Sequence, residues 1–361
     1  MTQRGEAMPA MVRADNLGSL LRPDYLLKAR ADDLPEEELR TIEDRAIKEV
    51  IQLQEDVGLP IVTDGEYRRR FFFSTVEVLV DGIDGQGFVR HHRDQQGVEH
   101  ELRTPTPTAR LTRKATLAEY ELDFVRPLTD KLVKVTMPSP SLLANYWIEG
   151  RSEAAYPTRE DYLEHLIELM NEDAKVLVAH GADHIQLDAP HYAYIQKLID
   201  VEGDRNATLR RLVEADNRVF EGVEGAVTAL HVCRGNDRSH FTGTEPYDDF
   251  AAAIFPHTAA KRLLLEYDDE RSGGFSPLRH IRQDQEVVLG LVTTKRADME
   301  SADELKARID EASKYVPLER LALSTQCGFG SNAEGNDIDL DAERAKLELV
   351  VNVATDVWQH A

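Results

Sequence analysis

Short apolar runs of β character recur along this 361-residue chain, and longer stretches with apolar residues every three or four positions lie between them. The runs fall at Val12–Leu20, Pro60–Thr63, Leu132–Met137, His184–Leu187, Ala226–Val232, Arg262–Leu265, Val287–Val292 and Leu321–Thr325. Helical periods are clearest at Glu36–Val57, Arg159–His180, Thr208–Phe220, Ala302–Ala312 and Ala342–Trp358, and Gly181 reads as the stop of the second. Parallel strands need crossovers of this kind, so the alternation predicts a parallel sheet. Eight such strands close a (β/α)8 barrel, a TIM barrel, in one α/β domain over residues 1–361; a doubly wound sheet is the rival arrangement.

Between Val76 and Arg126 the pattern changes to strand-like alternation, with turn signals at Asp84-Gly85 and Gln95-Gln96-Gly97 and a polar run over Arg103–Thr108. A β-hairpin inserted after an early strand is expected there, as a lid over the site or as structural cover.

The net charge is −23, from 66 acidic and 43 basic residues, so the averaged field repels phosphate backbones and anionic lipid. Neither nucleic acid nor membrane is expected as a partner. Much of the acidic excess sits on amphipathic stretches such as Pro35–Asp56, a solvated helix face. No apolar run has the length of a membrane span, and the N-terminus lacks a signal-peptide core, so a cytoplasmic location is expected. A homo-oligomer is compatible with the sequence, which does not set the oligomeric state.

Only two cysteines occur, Cys233 and Cys327, which leaves one bridge, two core thiols or a metal site. In Leu230-His231-Val232-Cys233-Arg234-Gly235 a strand runs out into a glycine turn, and side chains two apart on a strand point the same way. His231 and Cys233 therefore converge, while Leu230 and Val232 face the helices. Cys327 closes another strand before Gly328, and Glu266 follows the apolar run Leu263-Leu264-Leu265, where an unpaired charge would be costly. One nitrogen, two sulfurs and one oxygen at the carboxyl ends of strands suit tetrahedral zinc. The competing readings are a core thiol beside a hydrogen-bonded histidine and a Cys233–Cys327 disulfide.

These residues resemble the cobalamin-independent methionine synthase family, specifically its C-terminal catalytic barrel and the shorter stand-alone relatives of that barrel. The marks are Gly18-Ser19 with Leu21-Arg22-Pro23, Thr63-Asp64-Gly65-Glu66, Gln186-Leu187-Asp188, His231-Val232-Cys233, Leu265-Glu266 and Gln326-Cys327-Gly328. The resemblance implies a barrel with Zn2+ on His231, Cys233, Glu266 and Cys327, and a small thiol substrate, homocysteine or similar, that is methylated by a small alkyl donor. It also implies that Ser19, Glu66 and Asp188 hold the amino-acid part of that thiol.

The chain departs from the full synthases in three places. Ala189-Pro190 follows Asp188 where they carry an acidic residue, Tyr194 replaces a nearby carboxylate, and Lys295 stands in place of a catalytic histidine. Lys295 and Asp188 are the expected catalytic side chains, with Lys295 binding an anion or protonating a leaving group. Tyr194 and Tyr146 are expected to line the substrate pocket, as are His191 and Tyr192 if they are not packing residues. The alternatives are opening of an epoxide, as in the epoxyalkane:coenzyme M transferases, and a zinc- or thiol-binding protein without turnover.

Overall fold

The computed structural model describes residues 11–93, 99–194, 204–241 and 243–361. Its strands, in chain order, are β1 (Ala14–Asp15), β2 (Ile61–Val62), β3 (Val80–Arg93), β4 (Glu99–Arg113), β5 (Leu132–Pro138), β6 (His184–Asp188), β7 (Val227–Val232), β8 (Arg262–Glu266), β9 (Glu286–Val292) and β10 (Leu321–Thr325). All but β3 and β4 form one parallel sheet in the order β1-β10-β9-β8-β7-β6-β5-β2, the winding of a (β/α)8 barrel. Each of the eight apolar runs contributes one of its strands.

Alternation along the strands builds two cores. Leu17, Ala229, Leu264, Val288 and Ala322 fill the barrel interior. Their neighbours Leu230, Val232, Leu263, Leu265 and Leu289 belong to the larger core beneath the helices. Those helices include Glu36–Asp56, Arg159–Ala179, Ala302–Ala312 and Leu340–Trp358. Thr158 and Asp161 form a reciprocal cap on the second, and the Asp339 side chain accepts from Ala342 N at the start of the last. The helix expected at Thr208–Phe220 instead spans Arg205–Asn217, capped by Asp204, and its final turn tightens to a 3-10 helix over Arg218–Phe220. Among the described residues no helix is long and apolar enough to cross a membrane.

Among the described residues no ladder joins β1 to β2, the two ends of the strand order. A buried glutamine spans this seam. Gln54 Oε1 accepts from Asn16 Nδ2 at 3.1 Å and from Thr63 N at 3.0 Å, and its Nε2 donates to Thr63 O at 2.8 Å. Thr63 Oγ1 completes the closure by donating to Gly18 O at 2.6 Å. The first strand is correspondingly shorter than its apolar run, because residues 16–20 bond to side chains and loops rather than to a neighbouring strand.

Strands β3 and β4 pair antiparallel as the expected hairpin, with two corrections. Asp84-Gly85 is not a turn: the register shifts between Asp84 and Phe88 while β3 continues. Gly87 passes so close to β4 there that a Cβ would lie 1.9 Å from Thr104 O. The polar Arg103–Thr108 run lies inside β4, since a two-stranded ribbon tolerates polar side chains while its backbone is paired. The signal at Gln95-Gln96-Gly97 lies outside the described residues. Strand character also stops at Arg113, and residues 118–128 return to the barrel as consecutive helical turns, beginning with a π-helix over Ala118–Leu122.

Candidate metal centre

Every barrel strand delivers one of the expected residues at its carboxyl end. Ser19 and Glu66 follow β1 and β2, Tyr146 follows β5, Asp188 ends β6, and Lys295 and Cys327 follow β9 and β10. His231 lies in β7 with Cys233 just beyond it, and Glu266 ends β8. The register pairs Val232 with Leu265, which sets Cys233 level with Glu266, and a bulge between Ser324 and Thr325 re-aims the end of β10. Gly290 permits this crowding, since a Cβ there would lie 2.7 Å from Gln326 Cα.

The result is a buried quartet. One ligand-type atom from each of His231, Cys233, Glu266 and Cys327 lies within 4.8 Å of all the others. The two sulfurs are 3.7 Å apart and both thiols are free, which rules out the disulfide reading here. His231 Nε2 lies 3.7 Å from Glu266 Oε1. The His231 Nδ1–H reaches Leu264 O at 3.3 Å, which leaves Nε2 as the lone-pair nitrogen. Glu266 Oε1 accepts from Arg234 N at 3.0 Å, and Cys233 Sγ accepts from Gly235 N at 3.3 Å.

His231 Nε2 and Glu266 Oε2 are buried without a hydrogen-bond partner, an arrangement that is costly unless something else binds them. Burial pushes the His231 imidazole down to about 3, so the ring stays neutral at physiological pH. The Cys233 thiol is pushed up by its contact with Cys327 and by burial, and burial also raises the Glu266 carboxyl. Two soft thiols, a borderline imidazole and a hard carboxylate, the last two carrying orphaned atoms, fit a divalent zinc ion, whose charge would displace the retained protons.

The groups expected to hold an amino acid lie beside the quartet. Ser19 Oγ packs so tightly on the turn after Cys327 that a Cβ on Gly328 would fall 1.9 Å from it, and Ser19 O accepts from Phe329 N at 2.9 Å. Glu66 is buried at φ +59°, a left-handed conformation unusual for a residue with a side chain and often found at functional sites. Asp188 accepts from Gln186 Nε2 at 2.8 Å, and burial and the Glu66 charge push its carboxyl up to about 8. Lys295 is committed to a partner that sequence reading did not find: Nζ donates to Asp268 Oδ2 at 2.8 Å, two residues beyond Glu266.

Tyr146 is buried, with its ring centroid 5.5 Å from that of Phe73, and the Tyr194 side chain lies outside what the structure describes. His191 and Tyr192 bond to Ser141 (2.8 Å) and Asp216 (2.5 Å), in keeping with packing residues. Sequence reading missed Thr136, which donates to Glu66, and Glu121, which holds Arg69; Arg69 itself, 3.5 Å from Glu66, is one of the arginines whose ion pairing with the Asp64 and Glu66 carboxylates their sequence proximity suggests. The run Arg68-Arg69-Arg70 was a signal for Arg69; nothing local marks the other two.

Comparison with known proteins places the chain in a family and agrees with its fold. Residues 22–356 match the family model described as the catalytic domain of cobalamin-independent synthase. An uncharacterized protein of Bacillus subtilis, YxjG, is 34% identical over 96% of this chain and 95% of its own. A methionine synthase of Pyrococcus abyssi is 26% identical over 87% of this chain and 85% of its own. The solved structure of a B12-independent methionine synthase from a Shewanella species, in complex with selenomethionine, superposes with a TM-score of 0.77 at 22% identity. It covers 97% of this chain and 98% of its own, a likeness of fold. The chain thus belongs to the cobalamin-independent methionine synthase family, as an enzyme of its methyltransferase class.

Proposed function

We propose that this chain is a single catalytic barrel domain that methylates the sulfur of homocysteine or a closely related aminothiol, with zinc held by His231, Cys233, Glu266 and Cys327. The observation that carries the reading is the quartet of donor atoms within 4.8 Å of one another, beside a carboxylate pocket at the same rim. When bound, zinc supplies the Lewis acidity that lowers a thiol's pKa toward neutrality. The protein supplies the remainder. The buried rim excludes water from the sulfur, and Arg234 N and Gly235 N fix Glu266 and Cys233 in place.

Recognition of the thiol falls to Ser19, Glu66 and Asp188, with Tyr146 beside them. Asp64, Glu66, Glu121 and Asp188 gather there around Arg69, while Lys134 is committed to Asp15 and Arg22 spends its donors on backbone carbonyls. Burial raises three of these carboxyls, and an arriving cation lets them ionise, so the cluster favours a substrate bearing an ammonium group and opposes a purely anionic thiol such as coenzyme M. As the new S–C bond forms, the bond from the methyl carbon to its carrier breaks and its electron pair leaves with the carrier. Lys295, held by Asp268, offers that carrier a proton or a positive charge in this reading. Two buried free thiols suit a reducing compartment, which supports a cytoplasmic location.

The test is direct. Protein loaded with one equivalent of zinc is mixed with homocysteine or coenzyme M, and with methylcobalamin, methyl-folate or an epoxide as donor. Methionine formation from one methyl donor is expected. Consumption of epoxide with coenzyme M, or zinc binding without turnover of any pair, overturns the proposal.

A further inference from the structure

The two oxygens of Glu66 are treated differently by the protein. Oε2 is buried without a hydrogen-bond partner, whereas Oε1 accepts from Thr136 Oγ1 at 2.7 Å and lies 3.5 Å from Arg69 Nη1. The Thr136 hydroxyl has no choice of direction. Arg69 Nη1 donates to it at 3.0 Å, and a guanidinium can only donate, so the hydroxyl proton goes to Glu66. Arg69 is itself fixed by a fork of two bonds to Glu121, Nε to Oε1 at 2.8 Å and Nη2 to Oε2 at 2.7 Å. Its Nη2 also donates to Thr136 O at 2.8 Å.

The relay runs Glu121, Arg69, Thr136, Glu66, and all four residues are buried. Its parts come from distant segments: Thr136 from β5, Glu121 from the π-helical turn that returns from the hairpin, and Arg69 from the loop after β2. A π-turn in a helix is uncommon and is often found at functional sites. A network built only to neutralise buried charge would satisfy both oxygens of each carboxylate. Here the acids exceed the cations and one oxygen is left over.

We infer that Thr136 and Glu121 are positioning residues for Glu66: acting through Arg69, they fix its carboxylate so that Oε2 takes an ammonium group of the thiol substrate. The helical return of the hairpin thereby becomes part of substrate selection. This rests on the reading of Glu66 as the ammonium-holding residue.

Calorimetric binding to the zinc-loaded protein tests it, using homocysteine and 4-mercaptobutyrate, which keeps the thiol and carboxylate but lacks the amine. The unaltered protein prefers homocysteine. Thr136→Val reduces that preference about tenfold, the scale of one lost charge-assisted hydrogen bond, and leaves 4-mercaptobutyrate binding unchanged. Thr136→Ser restores the preference, and Glu121→Gln lowers it. Zinc stoichiometry and melting temperature are followed throughout, and Glu121→Gln is read by the same criteria should Thr136→Val not fold. Full preference in both variants overturns the inference while the reading of Glu66 stands. Equal weakening for both thiols, or loss of zinc, means a structural role and also overturns it. An unaltered protein that does not distinguish the two thiols removes the reading of Glu66 itself.

Discussion

The barrel interior carries buried charges in two places, finished in different ways. Toward the amino-terminal ends of the strands, Asp15 gives one oxygen to Lys134 at 2.7 Å and the other to Arg262 at 3.3 Å, and Arg262 reaches Glu286 at 2.8 Å. Burial alone would raise the Asp15 carboxyl, yet the two cations hold it below its usual range. At the opposite rim, Glu66, Asp188 and Glu266 are all raised by burial, and oxygens of Glu66 and Glu266 stay unpartnered. The first cluster is balanced within the protein; the second is balanced only when something binds. Buried charge by itself therefore does not mark a site; several uncompensated carboxylates gathered at one rim do.

Substitutions that treat the two clusters alike should have opposite consequences. The largest effect is expected from Cys327→Ser, which replaces one of four donors by a hydroxyl, a poor zinc ligand. Zinc affinity falls by at least about 100-fold and turnover is lost. Elemental analysis after dialysis checks it, and unchanged zinc content would mean that this sulfur is not a ligand.

Next, Asp15→Ala strands the buried Lys134 and leaves Arg262 with Glu286 alone, and it should destabilise the fold by about 3–5 kcal/mol in chemical denaturation, without altering zinc stoichiometry in the protein that folds. A loss below about 1 kcal/mol would erase the distinction between the clusters.

Asp188→Asn should have the reverse sign, raising the stability of the substrate-free protein by about 1–2 kcal/mol near neutral pH while weakening aminothiol binding. Its folded pKa of about 8 lies above the ordinary 3.8, so the folded state holds a proton that the unfolded chain has released. That contribution is complete below about pH 4 and is lost as the pH rises through about 8. The variant should flatten the decline of stability over this range by up to about 1.4 kcal/mol per pH unit, and Glu121 and Glu343, raised to about 7 and 8, keep some slope. A variant less stable than the parent at pH 8 would refute this.

The smallest effect belongs to an exposed pair: Arg344 lies 3.0 Å from Glu348, and Arg344→Ala should cost only about 0.3–0.5 kcal/mol. A loss as large as that from Asp15→Ala would show that burial is not what separates strong from weak ion pairs in this protein.

The strands and the meeting of the four donor side chains were legible because both rest on short-range patterns. An apolar run names a strand, and a polar residue just past its end names a rim position, as with His231, Cys233, Glu266 and Cys327. The partners of those residues were not legible. Glu121 reaches Arg69 across 52 positions and Thr136 reaches Glu66 across 70, and no local rule ties such residues together. Lys295 was singled out as a catalytic candidate, but its ion pair with Asp268 depends on β8 and β9 lying side by side. The hairpin misled for a related reason: Asp84-Gly85 has turn composition, while its place inside a long paired strand is set by β4. Gln54 offered no signal, since a glutamine in an amphipathic helix reads as a surface residue.

That glutamine gives the barrel a preferred place to yield. Parting two laddered strands breaks a row of backbone bonds together, whereas parting β1 from β2 breaks the Gln54 contacts, one backbone bond from Leu20 N to Gly65 O at 3.1 Å, and the bonds of Arg22 and Tyr67 across the loops beyond. Ser19 lies on one lip of this joint and Glu66 on the other. Only the Glu66 lip is free of β10: the Ser19 lip is tied to the turn after Cys327 by the bond from Phe329 N to Ser19 O at 2.9 Å, so a movement of the seam that spares the quartet has to be carried by the β2 side.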